Sequence, residues 1–179
     1  MTTATEARPA SHPTDQELLT RVLRPYKPNC QYLKGMTISA DGAEGHVQGL
    51  AELAIGESCY IDDTGHLNAV EVNIAYNQML YYLVATSVQQ RLVGVFGDWS
   101  MAEFWRRQLP DILITRLLTR FRRPIDRSHF FGEFELRYAT RRRLTAAGPA
   151  LIALDTAFRF WDGNGGRADG EVTIAVGES

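Results

Sequence analysis

The sequence predicts an α+β fold in which an antiparallel β-sheet wraps around one long central helix. Apolar residues repeat at helical spacing over residues 69–90, and the later segments are rich in β-branched and aromatic residues. One long apolar helix followed by successive strands is typical of an α+β domain in which a sheet packs against the helix.

The composition is that of a globular protein, and residues 15–179 are expected to form one domain. The chain has 179 residues and a formal net charge of −2, so no positive field favours nucleic acid or an anionic membrane. The sequence shows no signal peptide and no apolar run of about 18 residues, which predicts a cytoplasmic protein without a membrane span. Cys30 and Cys59 lack metal-ligand spacing and are expected to be reduced. No metal, nucleotide or redox cofactor is indicated.

The N-terminal third is predicted to contain a short helix and a hairpin. Residues 1–14 are rich in Thr, Ala, Ser and Pro and are expected to form a disordered lead-in. Thr14 is the predicted N-cap of an amphipathic helix that ends near Arg24-Pro25. The stretches Gln31–Ser39 and His46–Leu53 flank a turn-like segment and predict a β-hairpin.

The long helix is predicted over Ala69–Gln90. Asn68 and Glu71 match a capping box, in which Asn68 caps the helix and the Glu71 carboxylate reaches back to it. The buried stripe is expected to comprise Val70, Ile74, Tyr81, Val84 and Val88. Asn77 interrupts this stripe. Because a buried amide needs partners, Asn77 either pairs with a neighbouring backbone group or contacts a carbonyl or water in a ligand cavity.

The second half of the chain is predicted to be mainly strands. A shorter helix over Met101–Leu109 comes first and is ended by Pro110. Strand propensity and the intervening turns then predict four strands. These are Ile112–Phe121, Phe130–Arg141, Ala150–Trp161 and Glu171–Val176.

The polar segment before the long helix is the first candidate site. It contains Tyr60 and His66 immediately before the positive end of the helix dipole. Unpaired N–H groups at a helix start can stabilise charge that develops on a thioester carbonyl oxygen. From the residues alone, His66 is equally consistent with a solvated loop histidine, and Tyr60 with an ordinary half-buried tyrosine.

Two clusters of arginines stand out in a nearly neutral chain. The first contains Arg120, Arg122, Arg123 and Arg127, and the second runs from Arg141 to Arg143. Such clusters are suited to the phosphates of coenzyme A or to the acidic surface of a carrier protein, although any single arginine is better explained as part of a solvated charged face.

The segment IGESCYIDDTGHLNAVE, followed by YNQMLYY, resembles a small hot-dog family first described as long-chain fatty acyl-coenzyme A thioesterases. The stretches RFRRP, FRFWDGNGG and DGEV extend the resemblance over roughly residues 16–176. It implies the hot-dog fold. Members that serve isonitrile lipopeptide biosynthesis add glycine to the β-carbon of a (2E)-enoyl group on an acyl carrier protein, and the sequence resembles those members.

The resemblance also implies site residues and an assembly. The family's functional tyrosines match Tyr26 and Tyr60, and its site asparagine matches Asn77. Hot-dog proteins commonly pair two protomers, so we expect a homodimer or a dimer of dimers with the acyl tunnel between subunits. The implied partners are glycine and an acyl carrier protein that bears the (2E)-enoyl chain.

Glycine addition requires a base, oxyanion donors and an acid. We expect His66 to act as the amine base or as a proton shuttle, and the helix N-terminal amides near Asn68 and Ala69 to stabilise the oxyanion. Tyr60 is expected to donate a hydrogen bond or the α-proton, and Asn77 to orient the substrate. Lys34 is the candidate partner for the glycine carboxylate.

Three other functions fit the same residues. Thioester hydrolysis would use a carboxylate to activate water, and four carboxylates are available, Glu57, Asp62, Asp63 and Glu71. A hot-dog dehydratase would pair His66 with Glu71. A non-enzymatic binding module for acyl thioesters would tolerate replacement of His66, Tyr60 or Asn77 without loss of function.

Overall fold

The α+β prediction is confirmed by the computed structural model, which describes residues 10–41, 46–143, 148 and 150–177. In these described ranges, three α-helices and seven strands follow one another. The helices are α1 (Gln16–Leu23), α2 (Ala69–Gln90) and α3 (Met101–Arg107). The strands are β1 (Ala10–His12), β2 (Leu33–Asp41), β3 (His46–Leu53), β4 (Ile112–Arg123), β5 (Phe130–Arg143), β6 (Ala150–Trp161) and β7 (Arg167–Gly177).

The strands form one open antiparallel sheet in the order β1-β2-β3-β5-β6-β7-β4. Helices α2 and α3 lie between β3 and β4 in the chain, and β4 pairs with β7 at the far edge of the sheet. One sheet face packs on α2, where Tyr76 stacks on Phe134 and its hydroxyl hydrogen-bonds to Thr156 at 2.7 Å. Gly132 permits this close packing, because a Cβ atom there would lie 2.7 Å from the Met79 sulfur. The sheet therefore packs closely around the long helix α2, which is the arrangement of a hot-dog fold.

The long helix begins and ends where the sequence predicts. The Asn68 side chain accepts hydrogen bonds from the amides of Val70 and Glu71, and the Glu71 carboxylate accepts from the Asn68 amide, which completes the capping box. Arg91 ends the helix in the left-handed conformation, with φ of 56°. No helix in the described ranges is both long enough and apolar enough to cross a bilayer.

The N-terminal prediction needs two corrections. Ala10–His12, placed in the disordered lead-in, instead pair with β2 as an edge strand, while residues 1–9 lie outside the described ranges. Helix α1 is capped by Asp15, whose carboxylate accepts from the Leu18 amide at 3.0 Å. Thr14 is not the cap because its hydroxyl accepts a hydrogen bond from the Met36 amide, which ties the lead-in to β2.

The predicted burial of Asn77 is wrong, because the fully buried amide of α2 is its neighbour Gln78. Asn77 is half-buried, whereas Gln78 is 0% exposed. The Gln78 side chain accepts from the backbone amides of Tyr32 and Leu33, both at 2.9 Å, and donates to the Cys30 carbonyl at 2.6 Å. The side chain that satisfies neighbouring backbone groups is therefore Gln78, and Asn77 faces outward beside it.

Gln78→Leu is expected to lower the free energy of unfolding by about 3 kcal/mol, because it leaves buried backbone groups of residues 30–33 without partners. Asn77→Ala is the matched control on the adjacent half-exposed position, and it should change stability by less than about 0.5 kcal/mol. Urea denaturation of both variants measures the difference. Equal stabilities would show that the Gln78 bonds do not anchor the start of β2.

Candidate active site

The start of α2 gathers polar side chains around its N-cap. The side-chain oxygen Oδ1 of Asn68 accepts from the backbone amides of Val70 and Glu71 and also from the Tyr60 hydroxyl, the last at 2.8 Å. The Asn68 amide donates to one oxygen of Glu71 at 3.2 Å. The Ala69 amide has no hydrogen-bond partner among the described residues. A free N–H at a helix start favours a developing negative charge.

Glu71 is the most unusual member of this group because its side chain is fully buried while one oxygen, Oε1, has no partner in the described part of the chain. The side-chain nitrogen Nδ2 of Asn68 and the Ser58 hydroxyl are buried without partners in the same way. A buried polar atom without a hydrogen bond lowers the folding stability by roughly 1–3 kcal/mol, so such an atom is usually a binding position for a ligand, a water molecule or a functional partner. These three atoms belong to the segment before α2 and to its first turn, which we take as the candidate site.

Tyr32 and Cys59 extend the site beneath the N-cap. The buried Tyr32 hydroxyl donates to the Cys59 sulfur at 3.3 Å. Burial raises the Tyr32 pKa, and the hydrogen bond to Cys59 raises it further, so the hydroxyl stays protonated at neutral pH. Both cysteines are free thiols, as expected from the sequence. We call Tyr32, Cys59, Tyr60, Asn68 and Glu71 the polar cluster.

Arg127 holds the segment that carries Tyr60 in place. Its guanidinium donates to the Ile55 carbonyl at 3.0 Å and to Asp63 at 3.0 Å, and it is almost fully buried. The far end of the segment is fixed by a hydrogen bond of 2.9 Å from the Leu67 amide to the Ile125 carbonyl. Arg127 was grouped with the other arginines of its sequence cluster, but the structure makes it an anchor of the site segment.

A second, half-exposed face of α2 runs away from the polar cluster. It carries Asn73, Ile74 and Asn77 at intermediate exposure. Tyr26 packs against the core at the far end of this face, where burial and then the neighbouring Tyr81 raise its pKa above the usual range. The predicted stripe is therefore only partly a core stripe: its C-terminal half is buried, and its N-terminal half is open.

His66 and Lys34 lie outside the hydrogen bonds of the polar cluster. His66 is exposed, and its backbone carbonyl accepts from Thr64. The pKa of the nearby Asp63 is lowered mainly by hydrogen bonds from the Gly65 amide and Arg127. The His66 imidazole lowers it to a smaller degree. Lys34 is exposed, and its ammonium donates to the Gln31 carbonyl at 2.7 Å. A direct role for either side chain stays a prediction.

The sheet leaves an apolar surface uncovered beside α2. Leu117 and Phe121 of β4 pair with the core-facing residues Val172 and Ala168 of β7, so they lie on the core side of the sheet. Leu117 is nevertheless 40% exposed and Phe121 is 49% exposed. This apolar surface, which occupies an edge strand, is a feature that the strand pattern alone did not reveal.

The strand order and the single long helix between β3 and β4 define a hot-dog protein with its polar cluster at the start of that helix. A family model described as the FcoT-like thioesterase domain matches residues 21–176. The chain belongs to this family. A solved structure from Shewanella oneidensis, provisionally assigned as a thioesterase, aligns with a TM-score of 0.47 and 15% identity, over 90% of this chain and 99% of that chain.

Curated relatives match about nine-tenths of the chain. A (2E)-enoyl-[ACP] glycyltransferase from Streptomyces coeruleorubidus is 52% identical, over 90% of this chain and 96% of the relative. A protein of the same name from Mycobacterium bovis is 36% identical, over 92% and 87%. A third, from Mycobacterium marinum, is 33% identical, over 90% and 85%. The chain is thus similar to enzymes over nearly its full extent.

Proposed function

We propose that this protein adds glycine to the β-carbon of a (2E)-enoyl group carried as a thioester on an acyl carrier protein. The observation that carries the proposal is the 52% identity to a glycyltransferase of that name over 96% of its length. The polar cluster supports it, because a buried carboxylate with a free oxygen lies beside a free helix N-terminal amide. The product is a 3-(carboxymethylamino)acyl thioester, which classes the enzyme as a carbon–nitrogen lyase.

The reaction is a conjugate addition that leaves the thioester bond intact. The glycine amine loses a proton and its lone pair forms a bond to the β-carbon, while the C=C electrons move through the α-carbon to the thioester oxygen. The resulting enolate takes up one proton at the α-carbon. The site must therefore supply a base, a donor for the oxyanion and an acid.

Glu71 is the base in this proposal, in place of His66. Its Oε2 is held by the Asn68 amide, which leaves Oε1 free to accept a proton from the amine. The exposed His66 has no comparable contact with the cluster. His66 therefore fits a role in passing the proton to solvent.

The other roles follow from which groups are already engaged. The Asn68 amide is bonded to Glu71, so the Ala69 amide is the oxyanion donor that remains. The Tyr60 hydroxyl lies at the N-cap and supplies the α-proton. Asn77 and Tyr26, on the half-exposed face, orient the acyl chain and the glycine.

We infer that a second protomer completes the site by pairing along β4. An edge strand with exposed Leu117 and Phe121 favours association with another strand, and the half-exposed face of α2 lies open on the core side of the sheet. A homodimer formed along this edge would cover both surfaces and enclose the acyl tunnel.

Phe121→Asp is expected to convert the dimer to a monomer and to remove most of the activity, because it places a charge in the apolar interface. Leu50→Asp, at an exposed apolar position on β3, is the matched control and should leave both properties unchanged. Analytical ultracentrifugation and turnover measure the two effects. A Phe121→Asp monomer with full activity would contradict the shared site.

The reaction itself is tested by following two signals from one enoyl thioester. Glycine addition removes the absorbance of the conjugated enoyl thioester without releasing a thiol, whereas hydrolysis releases the thiol whether or not glycine is present. We expect glycine-dependent bleaching with no thiol release, and no bleaching with β-alanine. Thiol release independent of glycine would replace the proposal with thioester hydrolysis.

A further inference from the structure

A charged groove crosses the outer face of the sheet, on the side opposite α2. Its volume is about 710 Å³. Strands β4, β5, β6 and β7 contribute six arginines to its lining, Arg120, Arg122, Arg123, Arg137, Arg159 and Arg167, together with four carboxylates. The groove therefore carries two excess positive charges, although the whole chain has a net charge of −2. We call it the arginine groove.

The positive excess is concentrated at one end of the arginine groove. At the other end Arg137 pairs with both Glu135 and Glu171, at 2.9 and 3.1 Å, and Arg159 pairs with Glu133 at 3.2 Å. Three carboxylates therefore face two arginines, and this end of the groove carries no positive excess.

Near β4, by contrast, a single carboxylate serves several arginines. Asp169 lies 2.9 Å from Arg122 and 3.9 Å from Arg120. Arg122 holds the pKa of Asp169 below its usual value, and Arg120 and Arg167 also lower it. Arg123 and Arg167 have no carboxylate within ion-pair distance in the described ranges. This end of the groove is open to an anionic ligand.

Arg123 and Arg167 also lie directly opposite each other on β4 and β7. Like charges in such a cross-strand pair are unfavourable for folding. Both side chains are exposed, so neither is needed to fill the core. Their arrangement makes physical sense if an anion bridges the two guanidinium groups.

The positive end of the groove adjoins the candidate active site around the end of the sheet. Strand β4 ends at Arg123, and the connection that follows carries Ile125, whose carbonyl accepts from the Leu67 amide next to the N-cap of α2. Asp162 binds this connection to the turn before β7 by accepting from the Asp126 amide. Gly166 in that turn lies against the Pro124 carbonyl, where a Cβ would clash. The groove and the polar cluster are therefore separated only by this connection.

We propose that the arginine groove docks the acyl carrier protein, with Arg123 and Arg167 binding the phosphodiester at the root of the phosphopantetheine arm and the adjoining arginines facing the protein's acidic surface. The proposal rests on the proposed function for its partner. In this arrangement the phosphopantetheine arm crosses the connection between β4 and β5, and the thioester reaches the start of α2. A second copy of this chain seated face to face on the groove is disfavoured, because that symmetric contact would bring two positive grooves together, whereas the pairing proposed along β4 is edge to edge.

The test measures binding of a carrier protein whose arm holds the enoyl chain through an amide, which neither hydrolysis nor glycine addition consumes. Arg123→Glu is the informative variant, because it removes the like-charge pair by facing Arg167 with a carboxylate and so should not lower stability. Arg106→Glu, at an exposed position on α3, is the control for net charge. Calorimetric titrations are run at low and high salt.

We expect Arg123→Glu to weaken binding about tenfold at low salt, with a smaller difference at high salt and no effect of Arg106→Glu. Turnover of an enoyl thioester on pantetheine alone should be unchanged in both variants. Equal affinities for wild type and Arg123→Glu, an equal loss in the two variants, or a change in oligomeric state would each overturn the proposal. Failure of glycine addition with every substrate would instead overturn the proposed function and leave the binding result intact.

Discussion

Replacing Glu71 with glutamine is expected to lower kcat for glycine addition by about two to four orders of magnitude. Glutamine can still accept the Asn68 amide hydrogen bond, so the capping box and the helix start should persist. What the variant lacks is the carboxylate whose free oxygen would take the amine proton. Steady-state kinetics with saturating glycine and a (2E)-enoyl carrier protein measures the effect.

Helix α3 provides a matched control for this variant. Ser100 and Glu103 form the same capping box there, with the Glu103 carboxylate accepting the Ser100 amide at 2.8 Å. Glu103→Gln should therefore change stability by a similar small amount and leave kcat unchanged. A Glu71→Gln enzyme with wild-type kcat would exclude Glu71 as the base and return His66 to that role.

Tyr60→Phe is expected to lower kcat by about two orders of magnitude with little change in KM. The substitution removes the hydroxyl that lies 2.8 Å from the N-cap oxygen, while the ring and its packing are retained. Since the hydroxyl acts only when charge has developed on the enolate, its loss should affect turnover more than substrate binding. Kinetics over a range of carrier-protein concentrations separates the two parameters.

Tyr138→Phe is the control for this change, because Tyr138 is an exposed tyrosine on β5. It should leave both kinetic parameters unaltered. If Tyr60→Phe raised KM and preserved kcat, Tyr60 would be a binding residue, and the α-proton would have to come from another donor.

Elements whose signals are local could be predicted closely from the sequence. The bounds of α2 are correct because Asn68 and Glu71 form a capping box, and both residues of that box are near in sequence. Ala150–Trp161 and His46–Leu53 are correct as strands because turn residues bound them. The last strand is longer than predicted, since pairing with β4 and β6 extends it back to Arg167.

Features that depend on distant contacts were not predictable in the same way. The neighbours Asn77 and Gln78 differ in burial because Gln78 meets the backbone of residues 30–33, a contact across the fold. Arg127 lies among other arginines in the sequence, but its structural role comes from its hydrogen bonds to Ile55 and Asp63, which are distant in the chain. Glu71 combines a predictable and an unpredictable feature. Its capping function follows from the local sequence, whereas its unpartnered oxygen is seen only in the structure.

The hot-dog fold itself does not decide between hydrolysis and addition, since both reactions need a base and donors that stabilise an oxyanion. In the proposed mechanism, the two reactions differ in the molecule that Glu71 deprotonates beside the thioester, which is water in hydrolysis and the glycine amine in addition. An assay must therefore follow whether the thioester bond is broken, because consumption of the substrate alone does not distinguish the two reactions.

Intact-protein mass spectrometry of the enoyl carrier protein, incubated with this enzyme in the presence and absence of glycine, tests the central claim most directly. We predict that the carrier protein gains the mass of one glycine with its acyl chain still attached, only when glycine is present, and that Glu71→Gln largely abolishes the gain. Loss of the acyl chain from the carrier protein, at the same rate with and without glycine, would contradict the account.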